Sequence, residues 1–474
     1  MTLPAKFVER VLRDLGGTEG AALCAALDAE PPVSVRLNPA KTGAETVSAG
    51  PDAGLPVPEA AGLPALAIAG RVPWSRDGRY LAVRPSFTLD PDFHAGAYYV
   101  QEASSQFVGH LLAAVRTEGA RILDLCAAPG GKTTLYASLA GPDGLVVANE
   151  IDRRRASVLA DNVRKWGTGN VAVTTCEPRA LGDFEARFDV VAVDAPCSGE
   201  GMFRKDPDAR GEWSEGNVKQ CAARQDEILR EAWRALRPGG TLVYSTCTFN
   251  RDEDEGALER MAAWAGDEIA ESEETAVEDA WGIVCGRVGA FRTFRFYPHR
   301  TCGEGFFAAV ARKSFDAGGR VRAPKARRTV FAAVDRKTAG ELARWVRNPG
   351  GMRFAAVADT CYAWYAAQVD AVRTLSEALP VIYSGVALGQ VFKGVLKPDP
   401  ALAFFDGLNR GALPAAELDD EETLRFLRRQ DIAAGGLAEG MNLVCSRGRA
   451  LGFAKRIGAR VNNLYPNSLR IIKQ

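Results

Sequence analysis

The sequence is poor in the features that mark membrane, secreted and metal-binding proteins. Among its 474 residues there is no apolar run of about 18 residues, the length that a membrane-spanning helix needs. The start, MTLPAKFVER, has no apolar signal core, so we expect no secretion. Only three histidines occur, and the ten cysteines form no CxxC pair, which argues against a zinc site and a disulfide framework. We therefore expect free thiols, no metal, no membrane contact and a cytoplasmic protein.

The composition is that of an ordinary globular protein, spread over too many residues for one domain. Hydrophobic residues make up 47% of the chain and charged residues 25%, which excludes a disordered, collagen-like or coiled-coil protein. A single hydrophobic core rarely grows beyond roughly 250–300 residues. We therefore expect two or three domains, and we take the chain as a monomer.

The net charge of zero hides an asymmetry along the chain. Residues 316–474 carry 24 Lys and Arg against 15 Asp and Glu, a net charge of +9, which leaves −9 for residues 1–315. Basic ends of this kind are typical of proteins that meet phosphate backbones, although a solvated surface explains the charge almost as well. The last 34 residues contain no acid and seven basic side chains: Arg447, Arg449, Lys455, Arg456, Arg460, Arg470 and Lys473.

Changes in composition and periodicity divide the chain into four parts. The first has a helical repeat of apolar residues followed by many prolines and glycines, which predicts a small α+β appendage. The second alternates strands with helices, the third is a short basic linker, and the last mixes short helices with strands such as 380–383 and 390–396. The four parts are residues 1–95, 96–315, 316–328 and 329–474.

The second part predicts a parallel, doubly wound α/β sheet, because apolar strands alternate with helical stretches. In such sheets ligands bind beyond the carboxyl ends of the strands, so chemistry is expected in the loops that follow them. The predicted strands are 121–126, 145–150, 171–175, 190–194 and 241–246, and the predicted helices are 132–139, 153–165 and 218–236.

Two of these loops have features of a nucleoside-binding edge. After the first strand, DLCAAPGGKT places small residues and two glycines before a helix, whose free N–H groups suit a polar or anionic ligand. It is not a P-loop, because the GxxxxGK[ST] spacing is absent. The second strand ends in Glu150, 18 residues after Lys132, where a carboxylate can accept hydrogen bonds from ribose hydroxyls. Each feature alone has a plainer explanation, a strand–helix turn or a helix N-cap; together they predict a nucleoside cofactor.

The fourth and fifth strands both run into cysteines. The fourth continues into DAPCSGEG and the fifth into YSTCT. Because neighbouring parallel strands end at one edge of a sheet, we expect Asp194, Cys197 and Cys247 at the same rim. Two cysteines beyond strand ends, beside a proline turn and a threonine, indicate chemistry. A single cysteine is more often a small buried apolar residue, the interpretation given to Cys24, Cys221, Cys285, Cys361 and Cys445.

The motifs DLCAAPGGKT, ANEIDRRR, VDAPCSGEGMFRK and LRPGGTLVYSTCT resemble, in this order, the NOL1/NOP2/Sun family of S-adenosylmethionine-dependent RNA cytosine-C5 methyltransferases. The ending GFAKRIGARVNNLYP is similar to the bacterial ribosomal-RNA branch. The resemblance implies a Rossmann-like class I methyltransferase domain that uses S-adenosyl-L-methionine. It also implies an N-terminal RNA-binding appendage, a C-terminal PUA-like RNA-binding region and an RNA partner, with ribosomal RNA favoured over transfer RNA.

The resemblance also assigns residue roles. It implies that the Cys247 thiolate attacks carbon 6 of cytosine, that Cys197 helps to release the product and that Asp194 binds the base. Lys132 and Lys205 are cations that can stabilise Asp194 or a thiolate. Cys176 stands where the family typically has a polar or acidic residue. The implied cofactor-binding set is Cys126, Ala127, Ala128, Pro129, Gly130, Gly131, Lys132, Glu150, Cys176 and Asp194.

Other functions stay open at this point. The same motifs fit a transfer-RNA enzyme, whereas a non-catalytic ribosome-assembly factor is opposed by the presence of both Cys197 and Cys247. A small-molecule methyltransferase leaves the two thiols and the basic end unexplained. The basic C-terminal region is expected to supply salt-dependent phosphate affinity. Arg36, Asn38 and Lys41 are candidates for RNA contact or, equally, for surface solubility.

Overall fold

The computed structural model describes residues 2–43, 63–318, 321–322, 324–326 and 329–472. No helix in these ranges is both long and apolar enough to span a lipid bilayer. The prolines at positions 51, 56 and 58 of the predicted appendage lie outside the described residues, as do Arg320, Arg327 and Arg328 of the predicted linker and Lys473.

The N-terminal region is a helical hairpin followed by a four-stranded antiparallel sheet. The apolar repeat of its first helix buries Phe7 and Val11, and Phe7 packs edge-on against Phe203 and Trp213 of the next region. The helices are α1 (Ala5–Leu15), α2 (Gly17–Ala26), α3 (Pro39–Thr42) and α4 (Pro91–His94). The strands are β1 (Val33–Leu37), β2 (Ile68–Arg71), β3 (Gly78–Leu81) and β4 (Tyr98–Val100), in the order β2-β3-β1-β4.

A large sheet with five parallel strands at its centre forms the middle of the molecule, and all five predicted strands and three predicted helices are present. Alternate side chains of one strand enter two different cores, as Ile122 and Leu123 do, so both faces of the sheet are covered. The helices are α5 (Phe107–Ala113), α6 (Gly131–Ala140), α7 (Arg153–Trp166), α8 (Pro178–Gly182), α9 (Pro207–Glu212), α10 (Glu215–Ala235) and α11 (Glu255–Ala265). The parallel strands are β5 (Arg121–Asp124), β6 (Leu145–Asn149), β7 (Val171–Thr174), β8 (Phe188–Asp194) and β9 (Leu236–Thr246). Antiparallel strands follow: β10 (Ile269–Ala270), β11 (Val284–Val288), β12 (Phe291–Phe296) and β13 (Phe306–Lys313).

The C-terminal region contains two smaller sheets. The predicted strand at 390–396 is wrong, because Lys393 and Gly394 adopt left-handed backbone (φ +52° and +80°) and form a turn between two strands. The helices are α12 (Arg336–Ala343), α13 (Val369–Ala378), α14 (Pro400–Phe404) and α15 (Asp420–Leu427). One sheet has the order β14-β15-β16-β18-β19 and the other β20-β21-β22-β23. The strands are β14 (Ala332–Ala333), β15 (Met352–Val357), β16 (Thr360–Tyr365), β17 (Val381–Ser384), β18 (Val386–Phe392), β19 (Val395–Pro398), β20 (Ala415–Glu417), β21 (Gly440–Ser446), β22 (Arg449–Ile457) and β23 (Arg460–Asn463).

Strand β17 joins the C-terminal region to the central sheet. It coincides with the predicted strand at 380–383, but it pairs antiparallel with β7, where Tyr383 lies opposite Val173. The order along the central sheet is therefore β11-β12-β13-β9-β8-β5-β6-β7-β17, and the short strand β10 pairs with β13 beside this path. Helix α13 packs on the same core, since Val372 and Leu375 belong to the cluster that contains Phe188.

Both interpretations of Arg36, Asn38 and Lys41, RNA contact and surface solubility, are wrong. Arg36 is buried and donates to Gln101 Oε1 (2.7 Å) and to the Thr134 hydroxyl. The Asn38 amide donates to the carbonyl of Trp166 (2.8 Å), and Lys41 Nζ donates to Lys165 O, 2.6 Å away. These carbonyls end α7, where a helix leaves its last acceptors unpaired. The three polar residues therefore fix the appendage to the central region.

Two basic residues near the C-terminus also form ion pairs inside the protein. Arg447 pairs with Asp90 (3.2 Å) and Asp92 (2.9 Å), and Arg449 pairs with Asp92 (2.7 Å). Both acids are buried in the N-terminal region. Arg447 and Arg449 thus hold the C-terminal region against the N-terminal region, contrary to both the phosphate and the solvent interpretation. Lys455, Arg460 and Arg470 remain exposed.

Candidate functional site

The loop between β5 and α6 crosses the carboxyl edge of the sheet and contains residues 126–130 of the predicted cofactor set. The Ala127 N–H donates to Asn149 O (2.8 Å), which ties the loop to the next strand. Gly130 ends the loop with a φ of +112°, and a Cβ at this position would lie 3.0 Å from Leu159 Cδ1. Glycine is therefore required where the chain turns into α6.

Asp124, the last residue of β5, is a buried acid that sequence reasoning did not single out. Its Oδ2 accepts a hydrogen bond from the Thr133 hydroxyl (2.6 Å), whereas its buried Oδ1 has no partner among the described residues. Burial raises the pKa of Asp124 to about 7. A buried carboxylate oxygen without a donor is costly, so this oxygen indicates a ligand that supplies one. The available signal was its place at the head of DLCAAPGGKT.

Glu150 is buried directly after β6. One oxygen accepts the Asp152 N–H (3.0 Å) and the other pairs with Arg155 (3.2 Å). Arg155 is largely exposed, yet it also donates to Ala128 O (3.1 Å), so it links the acid to the first loop. Glu150 therefore lies at the same edge of the sheet as the glycine loop.

Cys176 follows β7 and is held by Asn149, a residue that sequence reasoning missed. Its N–H and thiol both point to Asn149 Oδ1 (3.2 and 3.3 Å), and the Asn149 amide donates back to Cys176 O (3.0 Å). Burial raises the pKa of Cys176 to about 11, which keeps the thiol neutral. Asn149 immediately precedes Glu150, and this adjacency was its only signal in the sequence.

Lys132 and Asp194 form an ion pair at the rim, with Nζ 2.8 Å from Oδ2. The other Asp194 oxygen accepts the Ser245 hydroxyl (2.8 Å) from the neighbouring strand. Burial by itself lowers the pKa of Lys132, but the Asp194 carboxylate outweighs it and the pKa is raised. Lys132 is thus a permanent cation at this site. Lys205, the other candidate, is exposed.

The sulfur atoms of Cys197 and Cys247 are 3.3 Å apart. They follow the adjacent parallel strands β8 and β9, and the Cys247 N–H also points to Cys197 Sγ (3.4 Å). Both residues are half-buried and therefore within reach of a ligand. The hydrogen bond to Cys247, together with burial, raises the pKa of Cys197 well above its usual value. Cys197 consequently keeps its proton at neutral pH.

Glu200 links the loop that contains Cys197 (the Cys197 loop) to the loop that contains Cys247 (the Cys247 loop). It belongs to the Cys197 loop, yet its carboxylate accepts the Thr248 hydroxyl (2.7 Å) and the Phe249 N–H (2.9 Å) from the Cys247 loop. Trp213 Nε1 donates to its other oxygen (2.9 Å). Sequence reasoning missed Glu200, although it stands inside the PCSGEG motif.

Glu253 links the same two loops from the side of the Cys247 loop. It follows the Cys247 loop and accepts the Ser198 N–H (3.0 Å) of the Cys197 loop. Gln225 Nε2 (2.9 Å) and Asn250 Nδ2 (2.7 Å) complete its shell, and burial raises its pKa. This residue too was missed, because a glutamate in the acidic stretch RDEDE reads as a surface residue.

The remaining thiols have no shared site. Cys221, Cys361 and Cys445 are buried, and Cys24 is half-buried. Cys285 is exposed, so the expectation of a buried residue is wrong for it; its strand β11 forms an edge of the central sheet. Within the described ranges, no group of three or more His, Cys, Asp and Glu could hold a metal ion.

Three family models match successive parts of the chain. Residues 3–103 match the N-terminal domain of 16S rRNA methyltransferase RsmF, and residues 111–312 match 16S rRNA methyltransferase RsmB/F. Residues 414–471 match the methyltransferase RsmF PUA domain.

Curated proteins match over most of their length. Ribosomal RNA small subunit methyltransferase F of Shewanella loihica is 32% identical over 418 residues, which cover 84% of this chain and 83% of the relative. The protein of the same name from Erwinia tasmaniensis is 31% identical over 421 residues, 84% of each chain. Among solved structures, a methyltransferase homolog protein from Pyrococcus horikoshii is 27% identical, with a TM-score of 0.52 over 65% of this chain and 94% of that chain. NSun6 from Pyrococcus horikoshii, 22% identical with a TM-score of 0.50 over 65% and 98% of the chains, is similar in fold.

Proposed function

Because this chain belongs to the ribosomal RNA small subunit methyltransferase F family, we propose that it methylates carbon 5 of a cytosine in small-subunit ribosomal RNA. The broader activity follows from the family: the chain is an S-adenosylmethionine-dependent rRNA methyltransferase. The base, the carbon and the residue roles are our proposal. The observation that carries it is the pair of sulfur atoms 3.3 Å apart, beside the ion pair of Lys132 and Asp194.

Paired thiols suit cytosine because carbon 5 is too electron-poor to attack a methyl group unaided. A thiolate that adds to carbon 6 makes carbon 5 enamine-like, which splits one difficult step into easier ones. The sulfur–carbon bond forms, the π pair of the 5,6 double bond shifts towards N3, and N3 takes up a proton. This proton comes from solvent. We assign the polar edge of the base to Asp194, whose carboxylate is fixed by Lys132 and Ser245 and accepts hydrogen bonds from the protonated N3 and the exocyclic amino group.

The surroundings of the two thiols support a division of roles. Cys197 keeps its proton, since its pKa is raised, whereas Cys247 lies in the electrostatic field of the Lys132 ammonium. We therefore assign the attack to Cys247. In the release step the sulfur–carbon bond breaks and Cys197 passes its proton to the departing Cys247 sulfur, 3.3 Å away. The Cys197 thiolate so formed takes the proton that leaves carbon 5, and N3 returns its proton to solvent.

The residues at the edge of the sheet fit S-adenosyl-L-methionine, which when bound supplies an electrophilic methyl group. The unpartnered Oδ1 of Asp124 can accept a hydrogen bond from an amino or hydroxyl group. Glu150 offers a buried carboxylate for the ribose, and the backbone of loop 126–130 and of Cys176 offers further polar groups. We propose these residues as the cofactor site.

Transfer of labelled methyl groups from S-adenosylmethionine into ribosomal RNA tests the thiol roles. We expect Cys247→Ala to abolish transfer while it still binds the cofactor. We expect Cys197→Ala to accumulate a covalent protein–RNA adduct that survives a denaturing gel. An adduct in Cys247→Ala and none in Cys197→Ala would reverse the assignment, and a wild type that modifies no RNA would favour a non-catalytic assembly factor.

Bisulfite sequencing of RNA from cells with and without the gene tests the substrate. We expect a cytosine in small-subunit ribosomal RNA to lose its protection when the gene is absent. Loss of protection in transfer RNA alone would contradict the proposed substrate. All ten cysteines are free thiols, in keeping with the reducing cytoplasm in which we place this activity.

A further inference from the structure

The hairpin of β18 and β19 has an outer face of exposed apolar side chains. Phe392 and Val395 are cross-strand partners beside the turn, and they are 71% and 66% exposed. On the other face, Val391 and Leu396 pack into the core of the C-terminal region. Strand β19 is also the edge of its sheet. Proteins rarely leave an apolar pair on an exposed edge unless a partner covers it.

Cations surround this apolar pair. Lys393 lies in the turn, and its Nζ is 5.5 Å from the centre of the Phe392 ring. Lys397 follows two residues after Val395 and so shares the outer face. Lys337 of α12 reaches the turn, since a Cβ on Gly394 would lie 3.4 Å from its Nζ. The three lysines are exposed, and no carboxylate in the described ranges forms an ion pair with them.

We propose that this hairpin binds unpaired ribosomal RNA, with a base stacked on Phe392 and backbone phosphates held by the three lysines. The proposal rests on the proposed function, because that function supplies the RNA. An exposed ring beside lysines suits single-stranded RNA, since every base has a face that stacks and every nucleotide has a phosphate. The hairpin lies between the ranges 111–312 and 414–471 that the catalytic and PUA family models match.

Binding of a single-stranded fragment of small-subunit ribosomal RNA to the full chain tests this proposal. We expect Phe392→Ala to weaken binding roughly tenfold, the typical effect of removing one stacking ring, with an unchanged salt dependence. We expect Lys393→Ala to lower the slope of log affinity against log salt by about 0.7, because one phosphate contact is lost. Both side chains are exposed, so neither change should disturb folding.

Phe315→Ala is the matched control. Phe315 is 68% exposed and lies beside Arg312 (5.1 Å from its ring), far along the chain from the hairpin. We expect its binding to equal that of the wild type. Unchanged binding in Phe392→Ala, or an equal loss in both variants, would overturn the proposal.

Two further outcomes are separable. If Phe392→Ala instead abolishes self-association of the protein, measured by size-exclusion chromatography, the hairpin is a contact between copies and the RNA proposal is overturned. Binding needs no turnover, so a wild type that binds RNA through Phe392 but transfers no methyl group contradicts the proposed function alone and supports the hairpin proposal.

A second, independent inference concerns the buried acids that link the two cysteine loops. We infer that Glu200 and Glu253 are positioning residues that set the distance between Cys197 and Cys247, within the proposed reaction. Each carboxylate belongs to one cysteine loop and binds N–H or O–H groups of the other. Neither loop can shift without breaking bonds to both acids. Both carboxylates are almost completely buried, which is tolerated because each of them accepts hydrogen bonds from several donors.

Glu253→Gln tests this role, because its amide replaces one of the two acceptor oxygens with an NH2 group that faces a donor. We expect kcat to fall by about 100-fold, the cost of a misplacement near 1 Å, while KM for RNA and cofactor changes less than about twofold. Adduct formation in a Cys197→Ala background should slow in parallel. Glu200→Gln serves as a second variant should the first fail to fold.

The matched control is Asp189→Asn, a half-buried carboxylate that accepts the Arg121 N–H (2.8 Å) where β5 and β8 begin, at the opposite edge of the sheet from the thiols. We expect its kcat to equal that of the wild type. If Glu253→Gln and Glu200→Gln keep their kcat, or if both lose only as much activity as melting temperature accounts for, the positioning role is refuted.

Discussion

The buried carboxyl group of Asp124 destabilises the folded protein, and binding of the proposed cofactor gives this group a function. Its carboxyl group keeps a proton up to about pH 7, because burial raises its pKa, whereas the unfolded chain releases that proton near pH 3.8. The unfolded state therefore binds fewer protons between these values, and this group lowers the stability as the pH rises from about 4 to 7. At pH 8 the full cost is present.

We therefore expect Asp124→Asn to stabilise the free protein at pH 8 by about 1–3 kcal/mol, since it removes a buried charge and keeps an acceptor for Thr133. The same change should weaken S-adenosylmethionine binding at least about tenfold, because the unpartnered oxygen can no longer act as an anion. Thermal unfolding with and without the cofactor measures both effects. A variant that is less stable and binds normally would show that Asp124 has no ligand.

The sequence predicted the positions of Cys197 and Cys247 because a strand end is a local feature and parallel strands share one rim. It could not predict where Arg36 or Lys41 lie. Arg36 alternates with the apolar residues of β1 and Lys41 follows a proline turn, so both read as exposed, yet their partners, Thr134 and Lys165 O, are about a hundred residues away. Whether a polar side chain meets solvent or a distant carbonyl is decided by tertiary packing alone.

Strands show the same limit. The five parallel strands were predicted because continuous apolar runs alternate with helices, but the predicted sheet stops at β9. Strand β12 was missed since its arginines, Arg292 and Arg295, interrupt the apolar pattern; Arg295 is buried because it pairs with Asp254 and Glu255. Strand β17 was predicted, but its pairing with β7 was not, because nothing local marks the partner of a strand.

Helix α4 contains a pH-sensitive contact between the ends of the chain. His94 is buried, with Nε2 hydrogen-bonded to Thr88 O (2.9 Å) and Nδ1 to the Tyr465 hydroxyl (3.3 Å). Burial lowers its pKa to about 4 from the usual 6.5. The unfolded chain binds a proton between these values and the folded chain does not, so this group's stability is present above pH 6.5 and is lost as the pH falls to about 4.

We expect the free energy of unfolding to fall between pH 7 and pH 5 by about 2 kcal/mol more in the wild type than in His94→Gln, which has no titrating ring. Chemical denaturation at the two pH values measures the difference. Equal pH dependence in both proteins would mean that His94 titrates normally in the folded state.

Each of the three regions contacts the other two. The N-terminal appendage is fixed to the central region through Arg36 and Asn38, and the C-terminal region enters the central sheet through β17. The two ends then meet directly through Arg447 and Asp92. Each region is thus held at two places, and the chain is expected to unfold as one cooperative unit.

Asp92 is at the centre of the contact between the N-terminal and C-terminal regions, so its replacement should break that contact. It is 1% exposed and pairs with both Arg447 and Arg449. Replacing one partner of a buried ion pair leaves uncompensated charge, and we expect Asp92→Asn to cost about 3 kcal/mol and to separate unfolding into two transitions. Asp420→Asn is the control, because Asp420 pairs with the same Arg447 but its side chain is 68% exposed, so its loss should cost less than about 1 kcal/mol. Denaturation followed by calorimetry compares the two. An equal, small effect would show that the ends of the chain are held by apolar packing around Phe404 and Tyr465 instead.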